Sequence, residues 1–192
     1  MTVLIDNGHG RDCAGKRSPD GVFREWSWCR DVAEIVVESL KASGIRALQI
    51  VPEENDVLLG ERCRRANAYA KTDKDTILVS IHVNAAGDGK TWNMAQGWQV
   101  HTYLNPSSAS VKLAECLFDE AYKRSFYCRK PGPLKKYWPK NLMILRETSC
   151  PAVLVENMFM DNREDLQYLL SPNSIYECAV VIVDGVKRYF GK

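Results

Sequence analysis

Residues 76–82 read Thr76-Ile77-Leu78-Val79-Ser80-Ile81-His82, a run of apolar and β-branched side chains that ends on a histidine. Two other apolar runs end on a polar group in the same way. Ile5-Asp6-Asn7-Gly8-His9-Gly10 leads to a histidine, and Ala152-Val153-Leu154-Val155-Glu156 leads to a glutamate. Side chains at the ends of adjacent parallel strands meet at one edge of a sheet, where α/β proteins bind ligands. We therefore predict that these three side chains converge.

The rest of the chain alternates between strand-like and helix-like segments. Apolar residues recur at helical spacing in four segments, which are 32–40, 59–70, 111–121 and 175–186. Strands are predicted at 2–6, 46–51, 76–81, 97–103, 142–145 and 152–156, and segment 125–141 is predicted to be a long loop. This alternation predicts an α/β fold. We expect a single three-layer domain over residues 1–192, with a mixed, mostly parallel sheet of about six strands flanked by helices.

Composition excludes several classes of protein. The net charge of +2 is too small to indicate a nucleic-acid-binding protein, although it suits an anionic polymer such as a cell wall. No apolar run approaches the ~20 residues that span a bilayer, so membrane insertion is not expected. Residues 1–6 lack a basic segment before their apolar run, which favours a first strand over a signal peptide. The seven cysteines are irregularly spaced and contain no C-x-x-C pair, which favours reduced, structural thiols over a zinc ribbon.

Two imidazoles and a carboxylate at one sheet edge indicate a hydrolytic zinc site. A catalytic zinc ion keeps three protein ligands and one position open for water. His9 and His82 are two candidate ligands. The spacing of residues in the sequence does not by itself identify the third. The candidates for that place are Glu25, Asp6, His101 and Glu156. The position of His101 within a strand, without a flanking glycine, favours a hydrogen-bonded histidine over a metal ligand.

These residues belong to an ordered set of motifs that covers nearly the whole chain. The set comprises Asp6-Asn7-Gly8-His9-Gly10, Glu25, Glu61-Arg62 with Ala66-Asn67, Ser80-Ile81-His82-Val83-Asn84-Ala85, and Pro151-Ala152-Val153-Leu154-Val155-Glu156 with Phe159 and Asn162. In this order the motifs resemble the zinc-dependent N-acetylmuramoyl-L-alanine amidases of the amidase-3 family. The chain departs from the family pattern at Asn7, where proline is usual, and at residues 11–13, where glycine is more common.

The resemblance implies a function and a role for each motif. It implies hydrolysis of the amide bond between N-acetylmuramic acid and L-alanine in peptidoglycan, by a metal-activated water with a glutamate as general base. His9, Glu25 and His82 would hold one Zn²⁺ per chain, and Glu156 would be the catalytic glutamate. Family members with a plugged active site carry a helical insertion for which segment 85–97 is too short, so an unoccluded enzyme is expected.

Substrate contacts are predicted from the residues around this site. Asn84 follows His82 and is a candidate to bind either the substrate or a ligand histidine, or to hold the strand end. The loop 125–141 interleaves basic and aromatic side chains, and its Arg129 and Lys130 are candidates to contact the glycan or the stem-peptide carboxylates. A solvated surface loop is the alternative for this segment.

Three other functions remain compatible with the residues. They are a zinc peptidase or carboxypeptidase acting on stem peptides, a non-catalytic module that binds the cell wall, and a structural α/β domain without metal. We expect a monomer that acts on the cell wall, in the periplasm or outside the cell. It would either be made in the cytoplasm and released as phage lysins are, or have had a leader removed.

Overall fold

The computed structural model describes residues 1–192 and contains one mixed sheet of six strands. The strands are β1 (Thr2–Asn7), β2 (Arg46–Gln49), β3 (Thr76–Asn84), β4 (Gln99–Thr102), β5 (Trp138–Pro139) and β6 (Ala152–Phe159). Their order across the sheet is β2-β1-β3-β6-β4-β5. The pairs among β2, β1, β3 and β6 are parallel, and β4 runs antiparallel to β6. The predicted α/β fold with a mostly parallel sheet is confirmed.

Helices cover both faces of the sheet. They are α1 (Glu25–Ala42), α2 (Leu59–Thr72), α3 (Ser108–Lys123), α4 (Met143–Arg146), α5 (Arg163–Leu169) and α6 (Ser174–Tyr189). The larger core forms where α1, α3 and α6 pack on one face, and the smaller core lies under α2 and α4 on the other. Because both faces are covered, the parallel strands are apolar along their length instead of alternating.

The register of the sheet aligns the ends of three neighbouring strands. His82 on β3 pairs with Glu156 on β6, and Glu156 pairs in turn with Gln99 on β4. β1 ends beside β3 with Asn7 opposite Ile81, and the Gly8 N–H then donates to the Ile81 carbonyl at 2.9 Å. The loop that carries His9 therefore begins level with the end of β3.

Two parts of the predicted element pattern were wrong. The segment predicted as a strand at 142–145 forms most of the short helix α4. The apolar side chains of this segment, Ile144 and Leu145, close the smaller core instead. The predicted loop 125–141 contains the two-residue strand β5, which extends the sheet beyond β4. Helix α5 was not predicted.

Helix lengths and cysteine states complete the description. No single helix is both long and apolar enough to cross a bilayer; only α5 and α6 taken together, with an 85° bend between them, meet that criterion. All seven cysteines are free thiols.

Candidate metal and catalytic site

Glu25 lies between the two strand-end histidines. Its Oε1 is 3.1 Å from His82 Nδ1 and 3.5 Å from His9 Nε2. The two imidazole rings are perpendicular, with centroids 5.0 Å apart. The potential ligand atoms of the three residues all lie within 4.8 Å of one another. Of the four candidates for a third donor, the structure brings Glu25 to the two histidines.

The position of Glu25 follows from the loop that precedes it. Glu25 is the first residue of α1, and its N–H donates to the carbonyl of Lys16, which ties the helix start to that loop. The carboxylate is 1 % exposed and also accepts a hydrogen bond from the Val83 N–H at 3.0 Å. A carboxylate in the first turn of a helix is further stabilised by the helix dipole. Glu25 is thus fixed at the end of β3, although it lies far from β3 in sequence.

Gly8 makes room for the His82 ring. A Cβ atom at this position would lie 2.6 Å from His82 Nδ1 and 3.0 Å from the Ile81 carbonyl oxygen. Contacts this short do not occur between real side chains, so only glycine allows the imidazole to pass beside β1 towards Glu25. This is the physical reason for glycine in front of His9.

His9 has a left-handed backbone conformation, with φ of 57°, which costs energy for a residue other than glycine. Two arginines hold it there. Arg30 Nη1 donates to the His9 carbonyl at 3.0 Å, and Arg62 Nη2 approaches the same oxygen at 3.4 Å. Arg62 is buried and also pairs with Asp6 and Asp56. The turn that presents His9 is therefore anchored by two separate helices.

The charges around Glu25 keep its carboxylate ionised. Burial lowers the pKa of His9 to about 4, assisted by the nearby positive charges, so this imidazole is neutral at physiological pH. Burial would raise the pKa of Glu25, but the hydrogen bond from His82 and the attraction of both imidazoles outweigh it and hold the pKa below its usual value. Burial would lower the pKa of His82, and the Glu25 carboxylate raises it instead. A carboxylate between two imidazoles is thus kept ionised.

Glu156 lies beside this group without belonging to it. Its Oε2 is buried and has no hydrogen-bond partner. Burial raises the pKa of Glu156 to about 8, and the nearby Glu25 carboxylate adds to the effect. A carboxyl group with a pKa close to neutrality is able both to accept and to donate a proton. As predicted, His9, His82 and Glu156 lie at the same edge of the sheet.

The pairing of β3 with β6 is irregular just past this point. The register shifts between His82 and Asn84, and Met158 takes a left-handed φ of 68°. Irregularities of this kind re-aim side chains and are common beside active sites. Here the shift accompanies the turn of Asn157 into the buried interior, where its Nδ2 donates to the His82 carbonyl and its Oδ1 accepts from Trp98 Nε1, each at 3.1 Å.

Asn157 and Arg62 are the supporting residues that the sequence did not assign. Arg62 stood inside the quoted motif Glu61-Arg62, and Asn157 directly follows the motif that ends at Glu156. No local pattern indicates that either touches the loop or strand of a histidine, since these contacts span 75 and 53 residues of sequence.

The remaining candidates lie elsewhere. The Asn84 side chain accepts a hydrogen bond from the Ala85 N–H and does not contact either histidine. Arg129 stacks over the Phe159 ring at 4.8 Å, and Lys130 is exposed. Asp6 is taken up by Arg62 and by the Ser80 hydroxyl. His101 is buried next to Gln99, 3.0 Å from its amide nitrogen, in agreement with the prediction of a hydrogen-bonded histidine.

A cavity of about 280 Å³ opens directly against the two imidazoles. It lies on the α2 side of the sheet, and six of its lining residues are hydrophobic. Its lining includes the buried ion pair of Asp6 and Arg62, whose Oδ1 and Nη1 atoms are 2.8 Å apart. A substrate bound at His9 and His82 would therefore have an apolar recess next to it.

Comparison with known proteins assigns the chain to a family. The model of a family described as N-acetylmuramoyl-L-alanine amidase, Amidase_3, matches residues 3–188. The chain belongs to this family. This match confirms the resemblance to the amidase-3 family that was drawn from the motifs.

Individual relatives agree with this assignment. The amidase-3 chain is 29 % identical over 198 residues to an endolysin of Bacillus phage SPP1, with 96 % of the chain and 64 % of the relative covered. It is 27 % identical over 191 residues to the N-acetylmuramoyl-L-alanine amidase CwlM of Bacillus licheniformis, with 99 % and 69 % covered. Among solved structures, an N-acetylmuramoyl-L-alanine amidase from Clostridium difficile 630 superposes with a TM-score of 0.85 at 26 % identity, covering 99 % of this chain and 96 % of that one. The chain spans about two thirds or less of the length of these curated relatives.

Proposed function

We propose that residues 1–192 form a single catalytic domain that hydrolyses the amide bond between N-acetylmuramic acid and L-alanine in peptidoglycan. The observation that carries this proposal is the buried, unpartnered Oε2 atom of Glu156 beside the group formed by His9, Glu25 and His82. Membership of the amidase-3 family supports the choice of bond. The charged carboxylate between two imidazoles supports metal-dependent hydrolysis over hydrolysis without a metal ion.

The residues present fit a zinc ion. Imidazole nitrogen and carboxylate oxygen are ordinary zinc ligands, and two histidines with one glutamate form a known catalytic donor set. His9 is neutral, Glu25 is ionised, and the missing side chain at Gly8 leaves the His82 ring free to turn towards them. We therefore assign these three residues as the ligands of one zinc ion per chain. When bound, zinc supplies a Lewis acid that activates water and polarises the scissile carbonyl.

Glu156 performs the proton transfers in this proposal. Its carboxylate takes a proton from the attacking water as the water oxygen bonds to the carbonyl carbon. The protonated carboxyl then gives that proton to the alanine nitrogen as the C–N bond breaks, which releases the stem peptide with a free amino group. One group can serve both steps because its Oε2 has no competing hydrogen bond and lies beside the three proposed metal ligands.

Residues near the strand ends are proposed to bind substrate. Arg129 is held over Phe159 by stacking, and Lys130 follows it in sequence, so their charges are available to peptide carboxylates. Asn84 is the last residue of β3, two residues after His82. The proposed site of action is the cell wall, outside the cytoplasm, and the proposed state is a monomer. The names of the relatives, which include an endolysin and cell-wall amidases, support the location.

Product analysis tests the proposal. Purified peptidoglycan is digested with the zinc-loaded protein, and the released fragments are analysed by mass spectrometry. An amidase releases intact stem peptides that begin with L-alanine, whereas a zinc peptidase shortens the stems and leaves the muramoyl amide in place. The control is a His82→Ala variant, which lacks one of the three proposed zinc ligands. Failure to release stems with a free L-alanine amine would overturn the assignment.

Metal binding is tested separately. We expect one zinc per chain by elemental analysis, and zinc addition should raise the unfolding temperature of the metal-free protein because it binds only the folded state. His82→Ala should abolish both effects. An unchanged zinc content in this variant would place the metal elsewhere.

A further inference from the structure

Three side chains lie in a row across neighbouring strands at the edge of the sheet that carries the donor residues. His82 on β3 pairs with Glu156 on β6, and Glu156 pairs with Gln99 on β4. Directly opposed residues on paired strands present their side chains on the same face, so Glu156 lies between His82 and Gln99. We propose that the side-chain oxygen of Gln99 binds the N–H of the scissile amide, and that His101 is the positioning residue that orients it. This inference rests on the proposed amidase function and adds a substrate contact on the far side of Glu156.

The amide of Gln99 is held at its nitrogen. Gln99 Nε2 lies 3.0 Å from His101 Nε2, and the two residues share a face because they are two positions apart on one strand. Burial lowers the pKa of His101 to about 4, assisted by the Lys140 charge and opposed by the Trp138 backbone, so the ring is neutral at physiological pH. A neutral imidazole accepts a hydrogen bond at the nitrogen that carries no proton. Gln99 therefore donates to His101 Nε2, and the proton of the ring is on Nδ1.

This arrangement is not the most stable way to fill the position of His101. The residue is 3 % exposed, and its Nδ1 is buried without a hydrogen-bond partner. An apolar side chain would avoid the cost of an unsatisfied buried group, and such a group calls for a functional explanation. The one hydrogen bond of the ring is with the Gln99 amide. We infer from this contact that the ring serves to orient the amide.

Holding the amide nitrogen leaves the amide oxygen unused. The only hydrogen bond of the Gln99 side chain is the one to His101, and the residue keeps 7 % of its surface exposed. The nitrogen is also kept away from Glu156, whose Oε2 has no hydrogen-bond partner although Gln99 is its neighbour in the sheet. Gln99 Oε1 is therefore an acceptor without a partner, next to the group proposed to transfer protons.

The geometry of an amide determines which substrate group meets this oxygen. A secondary amide is planar and trans, so its N–H points in the direction opposite to its C=O. In the proposed reaction the carbonyl is directed towards the donor residues on the His82 side, and the nitrogen lies near Glu156. The N–H then points towards β4, where Gln99 lies. A hydrogen bond in the amide plane leaves the face of the nitrogen free to receive the proton from Glu156.

A pair of substrates that differ by one N–H tests this contact. The first is an N-acetylmuramoyl peptide that begins with L-alanine. The second is the matched depsipeptide, in which L-lactic acid replaces that alanine, so the scissile bond is an ester without an N–H. We measure kcat/KM on both with the zinc-loaded protein and with Gln99→Met, which keeps the side-chain length but has no acceptor oxygen. Gln49→Met is the matched control, because Gln49 is a partly buried strand residue on β2, two strands away from β3.

The expected result is a loss that depends on the substrate. Gln99→Met should lower kcat/KM on the amide by about three- to tenfold, the value of one neutral hydrogen bond, and leave the ester at the wild-type rate. His101→Phe should cause a similar loss on the amide, and the double variant should lose little more than either single one, because both remove the same contact. Gln49→Met should match the wild type on both substrates. Zinc content should be unchanged in all variants.

A second measurement does not depend on activity. Nitrogen NMR of the metal-free protein, with His101 assigned from His101→Phe, should show a neutral ring with its proton on Nδ1 and an Nε2 signal that changes in Gln99→Met but not in Gln49→Met. If His101→Phe does not fold, the signal is assigned as the one among three histidines that is unaffected by His9→Ala and His82→Ala. A proton on Nε2 would mean that Gln99 turns its oxygen to the ring, and would overturn the inference.

The kinetic outcomes separate this inference from the proposed function. Equal losses on amide and ester, or no loss on either, would overturn the contact between Gln99 and the N–H while leaving the amidase function intact. Failure of the wild type to cleave the amide substrate would overturn both.

Discussion

His82 and Glu156 are direct neighbours across the pairing of β3 with β6, yet only one of them has a polar partner. His82 Nδ1 lies 3.1 Å from the Glu25 carboxylate, whereas Glu156 Oε2 is buried without a hydrogen bond. A buried, unpaired polar group costs stability, and such costs are concentrated at functional sites. At this level of the sheet, β3 therefore carries a histidine whose ring lies against Glu25. The neighbouring strand β6 carries a carboxyl oxygen that has no hydrogen-bond partner and is free to accept a proton.

Replacing Glu156 should separate turnover from metal binding. In Glu156→Gln the side chain keeps its size but can no longer accept a proton, so we expect kcat to fall by roughly 10²–10⁴-fold. The zinc content should stay at the wild-type value because Glu156 is not among the three donor residues. Stopped assays on a muramoyl peptide, combined with elemental analysis, measure both quantities. Near-normal turnover in this variant would remove Glu156 from the mechanism.

The same substitution should change the pH dependence of stability in the metal-free protein. Glu156 has a pKa of about 8 in the folded chain and an ordinary, lower pKa when unfolded. Between about pH 4.5 and 8 the unfolded state therefore binds fewer protons, and the free energy of unfolding decreases as the pH rises. Glu156→Gln removes this loss and should gain on the order of 1–3 kcal/mol over wild type between pH 4 and pH 8.

Urea unfolding of chelator-treated protein at both pH values measures this gain. Glu115→Gln is the control, since Glu115 is exposed on α3 and its replacement should change stability little at either pH. Equal pH dependence in wild type and Glu156→Gln would contradict a raised pKa of Glu156 in the folded chain.

Gly8→Ala should weaken zinc binding without unfolding the chain. The added methyl group would lie 2.6 Å from His82 Nδ1, so the ring must move away from its place beside Glu25. Disturbing the orientation of a ligand typically reduces metal affinity by about 10–100-fold. Competition with a chromogenic chelator measures the affinity. Gly132→Ala is the matched control because a Cβ there meets nothing within 4 Å.

Arg62 should be far more important for stability than its neighbour Arg64. Arg62 is buried and donates to Asp6, Asp56 and the Asn7 carbonyl, so Arg62→Ala leaves the buried Asp6 carboxylate without its arginine partner. Removing one partner of a buried ion pair costs about 3–5 kcal/mol.

Arg64→Ala provides the comparison on the same helix. Arg64 pairs with Glu61 at the surface, where solvent screens the attraction, and we expect its replacement to change stability far less than Arg62→Ala does. Chemical denaturation of both variants gives the two values. Asp6→Asn in the Arg62→Ala background should recover part of the loss, because it removes the uncompensated charge.

Local sequence patterns correctly predicted the strands that contain a long, continuous apolar run. The runs that form β1, β3 and β6 are buried on both faces and carry a continuous apolar signal, so their ends, and with them His9, His82 and Glu156, were placed correctly at one edge of the sheet. The run at 142–145 is equally apolar but only four residues long. Such short runs do not distinguish a strand from a helical turn, and here the run forms a helical turn that packs in the smaller core.

The sequence by itself determined which side chains stand at the strand ends, because the two-residue period of a strand and the common edge of parallel strands are local and geometric rules. Only the tertiary structure decided that Glu25 meets the histidines while Asp6 is taken by Arg62, 56 residues away. Both carboxylates are near His9 in sequence, and the choice between them depends on how α1 and α2 pack on opposite faces of the sheet. Packing of that kind is a property of the folded chain as a whole, which no local pattern of residues encodes.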